Sequence, residues 1–299
     1  MSTEDVDPRF TDLDDWPLVS VMDAIWESQL SAVATVKNAL PEITKATAAS
    51  ADALGDDGRI VYVGAGTSIR VAVQDGSELP PTFNWPMQRI KFVIAGGERA
   101  LIESQEGAED DEDDARQQID SLQLTPSDVV IGVAASGTTP FTVAALKKAE
   151  DGGAVSIGVA NNFNAPLLQA VSHPICIQTG SEVVAGSTRM KAGTSQKVVL
   201  NMISTGIMIR LGRIYKGLMV DMQAANIKLE KRAIEMVSNI AECDIQTADG
   251  ALKSADGDIK LASLIAMGCD VSKGRGFLQQ SQSNLRKAIK LASGDRRGD

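Results

Sequence analysis

Two short segments of the chain concentrate hydroxyl side chains beside glycine: Gly64-Ala-Gly-Thr-Ser68 and Ser136-Gly-Thr-Thr139. Each closes a β-branched run. Thr67 and Ser68 also stand at the start of a stretch that reads as a helix. Hydroxyls beside backbone N–H groups at a helix N-terminus accept a phosphate dianion, through the dipole and the unpaired donors. An ordinary glycine turn explains the first segment equally well. The second hydroxyl loop, with Ser136, Thr138 and Thr139 at another strand end, favours a phosphate site. Ile69 occupies the place of the third glycine in a dinucleotide fingerprint, and no Gly-Lys-Ser/Thr occurs, so a P-loop is excluded.

Few other side chains suit chemistry. Glu78 precedes Pro80-Pro81, which stiffen the backbone around it. It reads either as a held catalytic carboxylate or as a helix-end carboxylate against a proline turn. Glu109 opens the acidic run Glu109-Asp-Asp-Glu-Asp-Asp114, ordinarily a solvated face. Arg189 and Lys191 suit a phosphate or carboxylate ligand, or a structural ion pair with Glu182. Ser187 either touches the same ligand or, with Thr188, caps the following helix. The single histidine, His173, precedes Pro174 in a strand and reads as structural. One histidine and three separated cysteines (Cys176, Cys243, Cys269) leave no zinc pattern, so no metal and no cofactor is expected.

Positioning these groups requires a scaffold, and the chain supplies a regular one. Apolar residues recur at helical spacing from about Leu18 to Leu54, with Pro41 as punctuation. Nearly continuous β-branched runs then follow from Arg59, Ile90, Val129, Val155 and His173. Such runs suit strands buried on both faces. Helical stretches lie between several of them, notably Thr139 to Glu150, and a longer one spans about Thr194 to Leu211. Alternation of this kind implies an α/β fold, a parallel sheet with helices on both sides. Ligands on such sheets bind outside the carboxyl ends of the strands, where both hydroxyl loops fall. From about Val220 onward the chain is helical, with Gly250, Gly257 and Gly268 as breakers.

Composition narrows the function classes. Lys plus Arg is 29 and Asp plus Glu is 39 over 299 residues, a net charge of −10. That balance excludes a general nucleic-acid binder, which needs a basic surface. The acidic N-terminus has no apolar core and no long apolar run exists, so neither a signal peptide nor a membrane span is expected. The cysteine usage fits a reducing cytoplasm.

Seven blocks together resemble the N-acetylmuramic acid 6-phosphate etherase family, whose core is a sugar isomerase (SIS) domain. They are the two hydroxyl loops, Asp75-Gly-Ser-Glu-Leu-Pro-Pro-Thr-Phe83, Glu106-Gly-Ala-Glu-Asp110, Gly186-Ser-Thr-Arg-Met-Lys-Ala-Gly-Thr-Ser-Gln-Lys197, Asn201-Met-Ile-Ser-Thr-Gly206 and Leu218-Met-Val-Asp221. They run in family order from about Gly58 to Lys228. The resemblance implies a three-layer αβα SIS domain with a mostly parallel five-stranded sheet, N-terminal helices and a small C-terminal ubiquitin-associated-like helical module. Residues 1–50, 51–228 and 229–299 are the expected divisions. It implies a carbon–oxygen lyase that removes D-lactate from the sugar C3 ether by elimination and hydration. It assigns catalysis to Glu78 and Glu109, and phosphosugar binding to Thr67, Ser68, Ser136, Thr138, Thr139, Ser187, Arg189 and Lys191. A cytoplasmic homodimer is expected. The other SIS functions, a non-catalytic phosphosugar-sensing regulator or a phosphosugar isomerase, are the alternatives, and both retained glutamates favour the etherase. Three departures stand out: Ile69 for glycine, Thr138 for arginine, and no recognisable N-terminal Thr-Glu-x-x-Asn segment before Leu18; Gly76 for alanine and Leu79 for cysteine are milder.

Overall fold

The computed structural model describes residues 2–103, 105–224 and 226–295. They pack as two compact units, Met1–Ser77 with Met87–Ile207 and Glu78–Pro86 with Met208–Asp299. In chain order the first part runs α1 (Leu18–Val36), α2 (Leu40–Leu54), β1 (Ile60–Gly64), α3 (Gly66–Phe83), β2 (Ile90–Ile94) and α4 (Glu112–Leu122). It continues β3 (Val129–Ala134), α5 (Pro140–Asp151), β4 (Val155–Ala160), α6 (Pro166–Gln169), β5 (His173–Cys176) and α7 (Lys191–Arg210). The five expected strands all form, in the order β2-β1-β3-β4-β5, and every pairing is parallel. β1 and β3 are buried along their whole length, as continuous β-branched runs require when helices cover both faces.

Side chains alternate between the two faces of the sheet. Val61, Val63 and Val130 pack with Ile119 of α4, Phe141 and Leu146 of α5 and Leu167 of α6. Tyr62, on the opposite face, donates a 2.7 Å hydrogen bond to the Asp75 carboxylate on α3. The other carboxylate oxygen of Asp75 accepts from Asn201 at 2.6 Å and Ser204 at 3.0 Å, both on α7. Burial and the neighbouring Asp75 charge push the Tyr62 phenol well above its ordinary range, so it remains a donor. Beside Asp75, a Cβ on Gly76 would meet the Tyr62 and Phe92 rings at 2.8 and 2.9 Å. Those rings stack at 5.8 Å and fill the space an alanine methyl would take.

At the opposite, amino end of the sheet, Asp128 locks β3 to β1. Its carboxylate accepts from the Arg59 backbone N–H at 2.8 Å, from the Arg59 guanidinium at 2.9 and 2.7 Å, and from the Thr125 N–H at 2.8 Å. Burial pushes the carboxyl up, but Arg59 and the two backbone donors outweigh it and hold Asp128 below its ordinary range. The apolar residues Val199, Leu200, Ile203 and Ile207 of α7 are buried. α1 differs. It buries only small or slim residues, Ser28, Ala32 and Val36, and leaves Leu18, Met22, Trp26, Leu30 and Val33 exposed in one stripe.

The second unit contains α8 (Ile227–Ala241), α9 (Ile245–Ser254), α10 (Ile259–Ala266), α11 (Val271–Gln280) and α12 (Leu285–Asp295). Asn226, Asp244, Asp258, Asp270 and Asn284 each accept a backbone N–H three residues on, one at the start of each helix. Gly257 and Gly268 end helices in positive-φ conformations, whereas Gly250, expected as a breaker, lies inside α9. Lys260 is buried here, with its ammonium 2.8 Å from the Asp221 carboxylate and donating to the Ser283 carbonyl at 2.8 Å. Among the described residues, no helix is long and apolar enough to cross a membrane.

Candidate functional site

The strand order reverses direction between β1 and β3, and this topological switch point opens a crevice at their carboxyl ends. A cleft of about 430 Å³ occupies it. The β1 loop contributes Gly66, Thr67 and Ser68, and the β3 loop contributes Ser136, Thr138 and Thr139. Two helix N-termini thus converge on one space, that of α3 from Gly66 and that of α5 from Pro140. Pro140 at the first turn costs α5 no internal bond, and the Thr139 side chain does not cap it. The Thr138 hydroxyl donates to the Ser136 hydroxyl at 2.9 Å, and the Thr138 N–H does so at 3.2 Å. Gly137 makes this turn possible. Its φ is +70°, and a Cβ there would lie 2.4 Å from the Ala165 methyl.

The remaining wall is acidic. Glu109 and Asp110 line it from a short turn that begins at Gly107, with φ +71°. Glu109 also lines a neighbouring cleft of about 330 Å³ that shares Ala65 and Gly66, so its carboxylate stands on the rim between two spaces. Glu4 lines the main cleft as well, together with Gly186 and Thr188. Among the described residues that line this cleft there is no lysine or arginine.

The structure therefore brings together Thr67, Ser68, Ser136, Thr138, Thr139 and Glu109. Ser187, Arg189 and Lys191 are not among the lining residues. Arg189 is exposed. Lys191 is buried, and its ammonium donates to the Ser181 carbonyl at 2.9 Å. Burial pushes the Lys191 ammonium down, against the pull of Glu182, which burial pushes up. Glu182 accepts the backbone N–H groups of Lys191 and Ala192 at 2.8 and 3.0 Å. Glu182 thus holds the N-terminus of α7 through backbone N–H groups, while the Lys191 ammonium is directed to the Ser181 carbonyl. Glu78 is exposed on α3 and belongs to the second unit. Ile69 is fully buried and not a lining residue, so its bulk is directed away from the cleft.

Glu4 carried no assignment in the sequence, and Thr188, read as a helix cap with Ser187, lines the cleft. For Glu4 a signal existed. Thr3-Glu4-Asp5-Val6-Asp7 keeps the threonine and glutamate of the Thr-Glu-x-x-Asn segment and places aspartate at its last position.

Residues 42–150 match the glucokinase regulatory protein N-terminal SIS domain. The chain is 43% identical over 288 residues to the N-acetylmuramic acid 6-phosphate etherase of Deinococcus radiodurans, covering 96% of this chain and 94% of that protein. It is 41% identical over 290 residues to that of Halalkalibacterium halodurans, covering 97% of each. A phosphoheptose isomerase from Francisella tularensis shares the fold. Its TM-score is 0.51 at 18% identity, over 65% of this chain and all of the other.

Proposed function

The chain belongs to the N-acetylmuramic acid 6-phosphate etherase family, a family of carbon–oxygen lyases, and on that premise we propose that the β1/β3 cleft holds the phosphosugar and carries out the cleavage. The observation that carries this reading is the meeting, in one cleft, of two hydroxyl loops at two helix N-termini with the Glu109 carboxylate. The hydroxyls of Thr67, Ser68, Ser136, Thr138 and Thr139 and the adjacent N–H groups suit the three phosphate oxygens. Ser187 and Arg189 precede and follow Thr188, which lines the cleft, and would meet a substrate that extends beyond it. Lys191, being engaged with Ser181, supports the loop rather than the ligand.

The reaction needs proton carriers. In the open-chain aldehyde the C1 carbonyl acidifies the C2 proton, and Glu109 takes it. The C2 electron pair forms the C2=C3 double bond as the C3–O bond breaks. That bond's electrons leave on the lactyl oxygen, which takes up a proton; Glu78 does not line the cleft, and its role as that acid is what the family resemblance implies. Water then adds across the double bond, hydroxyl to C3 and proton to C2, giving N-acetylglucosamine 6-phosphate. Such chemistry serves the recovery of cell-wall sugar in the cytoplasm, where three free cysteines are at ease.

Glu78→Gln and Glu109→Gln are each expected to slow lactate release by about 10²- to 10⁴-fold. In D₂O the product should carry deuterium at C2, and in Glu109→Gln the appearance of that labelled product should slow together with lactate release. Unlabelled product, or a fully active Glu109→Gln variant, would falsify the assignment.

The protein is proposed to act as a homodimer. Val199, Leu200, Ile203 and Ile207 of α7 are buried inside one chain and Ile209 alone stands exposed near its end, so α1 is the larger surface that supports this. Leu18, Met22, Trp26, Leu30 and Val33 recur at intervals of four, four, four and three, and Leu18 and Trp26 are 72% and 63% exposed. A monomer by light scattering at micromolar concentration counts against it.

A further inference from the structure

The cleft has a wall that comes from the far N-terminus. Thr3 is fully buried. Its backbone N–H donates to the Asn162 side-chain oxygen at 2.9 Å, and its hydroxyl accepts from the Asn162 amide at 2.9 Å. The same amide donates to the Ser136 carbonyl at 3.4 Å, so one asparagine at the end of β4 holds both the N-terminal strap and the phosphate loop. Four residues on, Asp7 is buried and paired with Arg9 at 2.6 Å, which holds its carboxyl below the ordinary range. The segment is thus anchored at Thr3 and buried again at Asp7, and Glu4 lies between them. The Glu4 side chain accepts from the Thr3 hydroxyl at 3.0 Å on Oε1, and Oε2 lies 3.7 Å from where a Cβ on Gly186 would be. The side chain is exposed into the cleft it lines.

A carboxylate has no reason to be delivered beside a phosphate site on charge alone, because the two repel. It does have a reason if the ligand carries hydroxyls. An ionised carboxylate offers only acceptors, and a hydroxyl hydrogen bond to it is short and strong. We propose that Glu4 is a substrate-binding residue that accepts hydrogen bonds from sugar hydroxyls, and that Thr3 and Asn162 are the positioning residues that aim it. The inference rests on the phosphosugar reading of the cleft. It makes the strap the element that distinguishes a phosphosugar from phosphate itself. Gly186, with φ +74°, is the backbone the Glu4 carboxylate lies beside at this wall.

The test is calorimetric titration of the full chain with N-acetylglucosamine 6-phosphate and, separately, with inorganic phosphate. In Glu4→Gln the dissociation constant for the phosphosugar should rise about 10- to 100-fold. That for inorganic phosphate should stay the same or fall. Thr3→Val should weaken the phosphosugar in the wild-type background and have no further effect in the Glu4→Gln background. A merely structural strap predicts the reverse, with both ligands weakened together and the two substitutions adding. Equal loss of both ligands, or an unchanged phosphosugar constant in Glu4→Gln, overturns the proposal. If Ser136→Ala leaves both wild-type constants unchanged, the cleft reading itself falls and the strap with it.

Discussion

At the scale of single residues, the cleft separates binding from proton transfer by residue type. Its neutral donors are hydroxyls and backbone N–H groups, and its ionisable side chains are carboxylates. Ser68 and Ser136 come from different loops and lie on different helix N-termini, so each should matter independently. Ser68→Ala and Ser136→Ala are expected to weaken phosphosugar binding by about 1–3 kcal/mol each, measured by titration, with unchanged thermal unfolding. Their effects should add, because the two side chains share no partner among the hydrogen bonds described. Thr138 carries the family's one cation-removing exchange in this cleft. With arginine absent, its hydroxyl instead bonds Ser136 and orders the loop from within.

At the scale of elements, the amino end of the sheet holds the register that the carboxyl end uses. Asp128 ties β3 to β1 through Arg59, and the hydroxyl loops follow those same two strands. Its carboxyl is held below the ordinary value near about 4. A depressed carboxyl contributes stability above its unfolded pKa and loses it as pH falls through the folded value. Chemical denaturation between pH 7 and pH 3 should therefore show an acid loss that Asp128→Asn lacks. The variant should already be about 2–3 kcal/mol less stable at neutral pH, the scale of a hydrogen-bonded charge. The strands and both hydroxyl loops were legible in the sequence because their signals are local: unbroken β-branched runs that end in glycine and hydroxyls. The Asx caps of the second unit are equally local, since Asp270 needs only its own helix. The strap was not legible. Thr3 meets Asn162 across 159 positions, and no periodicity or turn chemistry reports such a contact. For Lys191 the charge was visible, but its acceptor, the Ser181 carbonyl, is a backbone group that no residue type announces.

At the scale of the whole molecule, the α1 stripe and the strap divide the N-terminal 40 residues between two tasks, an apolar surface and a wall of the cleft. The cleft's lack of a lining lysine or arginine has a kinetic consequence. The protein carries a net charge of −10, Glu4, Glu109 and Asp110 line the cleft, and the substrate brings a phosphate and a lactyl carboxylate. Approach is therefore uphill, the opposite of electrostatic steering. Added salt shortens the reach of that repulsion, from about 30 Å at 0.01 M to about 8 Å at 0.15 M. Substrate capture, read as kcat/KM, should rise as sodium chloride is raised over this range, and a fall would point to a cation at the cleft mouth. The field that slows arrival also works on departure. Lactate leaves as an anion inside an acidic wall, so the molecule expels the product of its own bond cleavage.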